Sequence, residues 1–309
     1  MLRAELARGD TAAETVLPIL RHLVSADHTP LFGDEILARI RGMLEHLASQ
    51  LLDALAAAQG SRERRPREPE AVRTLARALL DDAALLTHLH ALSLEWQLAE
   101  RLEARLSLDP VVPPLLQALV ASPEPETQSL AMRLLGAQAR WRQGQRRMQC
   151  GLLELPAEQL HAALLTLRSL AVGGIAGFGP EDEQAARAEA ALRRAYDESA
   201  SRIGLAARLV MGLGGAAVTA LSLEHGGVAL FLTALALGSG QPREAAALCT
   251  HETQSARLAL SLRVAGLSPT AVQEQLVQLH RDVVLPVGLD RLDANGAASI
   301  LAGGRYGRA

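Results

Sequence analysis

The chain has 309 residues, 49% of them hydrophobic, only 2% aromatic, with a formal net charge of −3. All 31 residues in its Lys+Arg count are arginine. That excludes a Schiff-base lysine, a P-loop lysine and a kinase lysine, and the slightly negative balance supplies no overall field to attract nucleic acid. The apolar content is chiefly Leu, Ala and Val. Ala and Leu are strong helix formers, while the residues typical of strands are thin, so an all-α protein is expected. Cys150 and Cys249 stand far apart and in no CxxC pattern. A reducing, cytoplasmic setting follows as the expectation. The N-terminus MLRAELARGD is charged and has no apolar h-region, unlike a secretory signal.

The first predicted helix runs from Thr11 to Val24, with Pro18 kinking it or marking a first turn. Asp34 reads as the N-cap of a long helix whose apolar stripe is Ile36, Ile40, Met43, Leu44, Leu47, Leu51 and Leu55. Arg39 falls away from that stripe, and its register slips at Gln50. The segment 60–69, GSRERRPREP, has two prolines, four arginines and no large apolar residue, so it reads as an exposed loop or linker. It separates an N-terminal helical segment, 1–59, from a main domain, 70–288, with a weakly ordered tail at 289–309.

Within the main domain, Asp81 or Asp82 caps a helix with Leu85, Leu89, Leu92, Trp96 and Leu102 on one face. Ser122-Pro123-Glu124-Pro125-Glu126 is a helix start. Leu155-Pro156-Ala157-Glu158 opens another, which GGIAGFGP (173–180) ends. Glu181 to Ser201 is an amphipathic surface helix with i,i+4 pairs Glu183–Arg187 and Glu189–Arg193. Ile203 to Gly240 carries only Arg208 and Glu224 as formal charges. Being apolar nearly all round, it reads as a buried helical hairpin turning at Glu224-His225. Its second half is too short for the roughly twenty residues of a membrane span. Three short helices follow: Pro242 to Thr250, Glu252 to Leu267, and Ser268 to Val284. ETQS at 126–129 recurs at 252–255, a hint that two segments share a helix-hairpin plan without a strict period.

No set of residues forms a catalytic or metal-binding signature. His88 and His90 lie at i,i+2 and diverge on a helix. Cys249 and His251 share that spacing, so a buried, inert thiol is expected. Glu224-His225 resembles a proton-transfer pair but is followed by Gly226-Gly227, a turn signal. The glycine runs lack the preceding strand of a dinucleotide fingerprint. Arg140, Arg142, Arg146 and Arg147 surround Trp141. This is the best candidate for a partner or anion contact, although cations also suit a solvated helix C-terminus.

The passage Gly226 to His280, GGVALFLTALALGSGQPREAAALCTHETQSARLALSLRVAGLSPTAVQEQLVQLH, resembles the C-terminal part of a bacterial all-helical family of unknown function. The resemblance implies a helical fold and a bacterial, cytosolic setting, and no catalytic residues.

These observations point to stacked antiparallel helix pairs, HEAT-like or an irregular helical bundle. The expected role is a non-enzymatic interaction or regulatory protein that binds another protein, with no cofactor, metal, nucleic acid or membrane. The alternative is a binder of an apolar small molecule in a C-terminal pocket formed by Leu205, Met211, Phe231 and Leu235.

Overall fold

A computed structural model describes residues 1–25, 35–58, 68–173, 182–280 and 288–304. The described residues form an all-α helical bundle of fourteen α-helices joined by short turns and 3-10 segments. The expected Asp34 cap, most of the 60–69 loop and most of the 173–180 glycine run lie outside the described residues.

By their internal contacts the residues form two compact units, each assembled from separated segments. One holds Met1–Leu17, Ala91–Ala139 and Arg202–Ala309; the other holds Pro18–His90 and Arg140–Ser201. This is not the linear division expected at 60–69. Three of the four boundaries fall inside long helices, α1 (Leu2–Ser25), α4 (Ala83–Leu106) and α6 (Pro125–Arg146), and the fourth lies just before Arg202. Pro18 lies within α1 rather than at its start.

The second unit is built on α2 (Glu35–Ala58), which packs against α3 (Pro69–Leu80), α7 (Ala157–Gly173) and α8 (Asp182–Ala195). The α2 stripe from Ile40 to Leu55 is buried as its spacing requires. A second, polar row on α2 clamps the loop after α6. Arg39, 4% exposed, donates to the Gln145 carbonyl at 2.5 Å. His46 Nδ1 donates to the Cys150 carbonyl at 2.6 Å, and Gln50 Nε2 donates to the same oxygen at 2.9 Å. Gln50 Oε1 accepts from the Leu152 amide at 3.2 Å. The slip at Gln50 is therefore a hydrogen-bonding position, and Arg39 does not fall away into solvent. Gln50→Leu strands the Leu152 amide and leaves the Cys150 carbonyl to His46 alone, and we expect urea unfolding to register a loss of about 1–3 kcal/mol. Both i,i+4 pairs expected on α8 form, at 3.7 Å (Glu183–Arg187) and 2.9 Å (Glu189–Arg193).

The core of the first unit surrounds α10 (Leu223–Ser239). It packs against α5 (Pro114–Val120), α9 (Arg202–Gly212), α11 (Arg243–Leu248) and α12 (Ser255–Val264). Phe231, Leu232 and Leu235 are fully buried. In turn α12 carries α13 (Pro269–Leu279) and α14 (Ala294–Ala302). The Ser268 hydroxyl caps α13, accepting from the Ala271 amide at 3.2 Å. The tail expected to be weakly ordered is helical through α14. Asp293 accepts from the Gly296 amide at 2.7 Å, and Ala297 and Leu301 are buried. The two ETQS copies differ: the first lies in the opening turns of α6, the second spans a 3-10 turn and the start of α12.

Candidate functional site

The stretch Ile203 to Gly240 is not a hairpin buried along its length. It folds as α9, an exposed 3-10 segment (Gly214–Leu221) and α10, the last two meeting at 111°. The reason lies in MGLGGAAVT, residues 211–219, where three glycines weaken a regular helix. Gly214 takes φ +52° and ends α9's path. Only Ala220 and Leu221 at the end of the 3-10 segment are buried, whereas Met211 is 60% and Val218 47% exposed. A Cβ at Gly212, Gly214 or Gly215 would meet no atom within 4 Å. The elbow thus presents an uncharged surface of small side chains and accessible backbone. Gly266, in the turn between α12 and α13, faces Val218 beside it.

Behind the elbow the chain reverses through two crowded glycines. A Cβ at Gly226 would lie 2.5 Å from the Ala220 carbonyl oxygen, and one at Gly227 2.8 Å from Pro113 Cβ. Gly227 has φ 64° and ψ 176°, a conformation essentially confined to glycine. Glu224 is exposed and His225 half-buried at this bend, so they form the first turn of α10 rather than a buried pair.

No family model, curated protein or solved structure matches the chain.

The pocket expected from Leu205, Met211, Phe231 and Leu235 does not assemble. Leu205, Phe231 and Leu235 are members of one continuous core, 0–2% exposed, while Met211 points to solvent. A helix apolar on all sides offers no marker of which residues its neighbours leave uncovered. The Arg140–Arg147 cluster is also divided. Arg140, Arg146 and Arg147 are exposed, but Trp141 and Arg142 are each 5% exposed. The indole is packed inside the second unit and is unavailable to stack on a base.

Charges missed in the sequence lie buried in the first unit. Glu95, 1% exposed, accepts from Arg202 Nη1 at 2.6 Å and Nη2 at 3.0 Å, and pairs with Arg243 at 3.0 Å. Gln138 Oε1 stands 3.3 Å from Arg202 Nη1, and Gln138 Nε2 donates to the Pro110 carbonyl at 3.0 Å. Burial pushes the Glu95 carboxyl up, but the two guanidiniums more than offset this and hold it at about 2. One sign was present in the sequence: the steps Leu92, Glu95, Ala99, Leu102 place the acid on the buried face of α4. A second pair, Asp10 with Arg257, is buried between α1 and α12, and Arg257 also donates to Gln241 at 3.1 Å. Above it α1 and α14 enclose a cleft of about 500 Å3, with Arg3, Leu6 and Thr11 on one wall and Ser299, Ile300 and Gly304 on the other.

Cys249 is fully buried, and burial pushes its thiol up to about 12, so the nucleophilic thiolate is suppressed. His251 caps the following 3-10 turn through Thr253. The His88 ring is buried and donates from Nε2 to the Glu154 carbonyl at 3.0 Å. Among the described residues no group of three His, Cys, Asp or Glu side chains is placed to hold a metal, and no single helix is long and apolar enough to cross a membrane.

Proposed function

We propose that the protein is a non-enzymatic helical interaction protein, and that a partner protein docks on the exposed elbow 211–219. The observation supporting this is apolar exposure against a filled core: Met211 and Val218 project from a segment without charge, in front of fully buried Phe231 and Leu235. Glycines with open space around them let a partner's backbone approach closely. The complementary ligand is an apolar helix face or an extended apolar segment. Val218→Asp changes an exposed side chain, so the fold should persist. We expect a partner captured from the native cell by the wild-type chain to bind Val218→Asp at least about tenfold more weakly. It should bind normally to Leu165→Asp, a change at another exposed apolar residue. Equal losses in both variants, or none, reject the elbow as the docking surface.

The cleft between α1 and α14 favours a second reading, a small-molecule binder. Its volume is within the range of ligand sites, and its walls mix Leu6 and Ile300 with Arg3, Thr11 and Ser299. The ligand would then be amphipathic rather than wholly apolar. A thermal shift with amphipathic carboxylates, lost in Arg3→Gln, distinguishes this reading from the first.

A further inference from the structure

In the first unit, the end of α4, the end of α13 and the loop before α12 bring together the exposed Arg101, the half-buried Arg105 and the buried His280. Arg101 and Arg105 are i,i+4 on the last turns of α4 and therefore share a face. Arg105 Nη1 reaches the Leu279 carbonyl of α13 only at 3.4 Å, and its Nη2 is buried with no hydrogen-bond partner among the described residues. His280 follows Leu279, with its side chain 3% exposed. Glu252, 77% exposed, stands 3.7 Å from His280 Nδ1. His280 Nε2 is left buried and without a partner among the described residues.

We propose that this corner binds a small oxyanion, a phosphate or carboxylate group, between Arg101, Arg105 and His280. The geometry divides the imidazole: Glu252 faces Nδ1, so Nε2 is the nitrogen left for a ligand. Two guanidiniums offer planar, multiple donors suited to anion oxygens. Among the described residues, the carboxylate acting on Arg101 and His280 is Glu252, which is turned largely to solvent. Burial and the neighbouring Arg105 disfavour charge on Arg101. Burial, then Arg101 and His251, disfavour the imidazolium of His280 against the opposing pull of Glu252 and the Thr250 backbone. An anion seated here gives Arg105 Nη2 a partner, and, by favouring protonation of the imidazole, turns His280 Nε2 from an acceptor into a donor to the same ligand while relieving the like-charge repulsion. The site is separate from the apolar elbow, and its test is independent of the docking reading.

The test is NMR observation of the histidine rings during titration with inorganic phosphate and, separately, acetate, at constant ionic strength. Saturable binding of at least one anion is expected, with the titration midpoint of His280 moving upward. Phosphate alone saturating identifies a phosphate site, and acetate alone a carboxylate site. The double variant Arg101→Gln, Arg105→Gln, with its fold checked by circular dichroism, is expected to bind at least about tenfold more weakly. Failure of both anions to saturate, or undiminished binding by the folded double variant, overturns the proposal.

Discussion

Glu95→Gln is expected to destabilise the protein by about 3–5 kcal/mol, the cost typical of breaking a buried ion pair from one side. Glu95 is 1% exposed and faces both Arg202 and Arg243. A glutamine keeps the shape but removes the charge, and its amide nitrogen opposes a guanidinium donor. The buried Arg202 and the partly buried Arg243 then both lose this counter-charge. The same carboxylate makes the fold acid-labile. Its pKa is depressed from 4.5 to about 2 in the folded chain. The unfolded state therefore binds the proton more readily below pH 4.5. The stabilisation is fully present above that pH and is lost as pH falls toward 2, on the order of 3 kcal/mol in all. Urea unfolding at pH 7 and pH 3 should show the wild type losing stability that Glu95→Gln has already lost. Adding Arg202→Met to Glu95→Gln should recover part of the loss, because it removes a buried charge that has lost the Glu95 carboxylate. A loss below about 1 kcal/mol for Glu95→Gln would show that the network has little energetic weight.

Gly227→Ala should cost about 2–4 kcal/mol. Its backbone at φ 64°, ψ 176° strains any residue with a Cβ, and that Cβ would lie 2.8 Å from Pro113. Relief requires moving α5 or the start of α10, within the core that Phe231 and Leu235 fill. Gly212→Ala supplies the contrast. It ends α9, and an added Cβ meets nothing within 4 Å. Alanine there should leave stability unchanged or raise it by up to about 1 kcal/mol. Thermal unfolding of the two variants separates a glycine required by geometry from one left free at the elbow surface. Equal effects would contradict the bend described at Gly227.

The helices were legible because their signals are local. The α2 stripe, the Ser268 cap and the Glu–Arg pairs of α8 each depend on residues three or four positions apart. The candidate sites were less legible because exposure depends on distant neighbours. Trp141 and Arg142 looked like an accessible pair but are enclosed by packing. Met211 looked like a core residue because it sits in an apolar run, yet its neighbours leave it uncovered. Glu95 could be placed on a buried face from its spacing, but Arg202 lies 107 residues away. The Arg101, Arg105 and His280 corner likewise joins residues that no short motif connects.

The sequence by itself determined that this chain is all-α, where most helices lie, and that lysine-dependent chemistry is absent. Composition, periodicity and capping act within a few residues and can be read in order. Only the tertiary structure decided which polar groups became buried partners and which apolar groups stayed outside. A guanidinium on α9 is tolerable in the core only when a carboxylate from α4 meets it, and the elbow is exposed because no other helix among the described residues covers it.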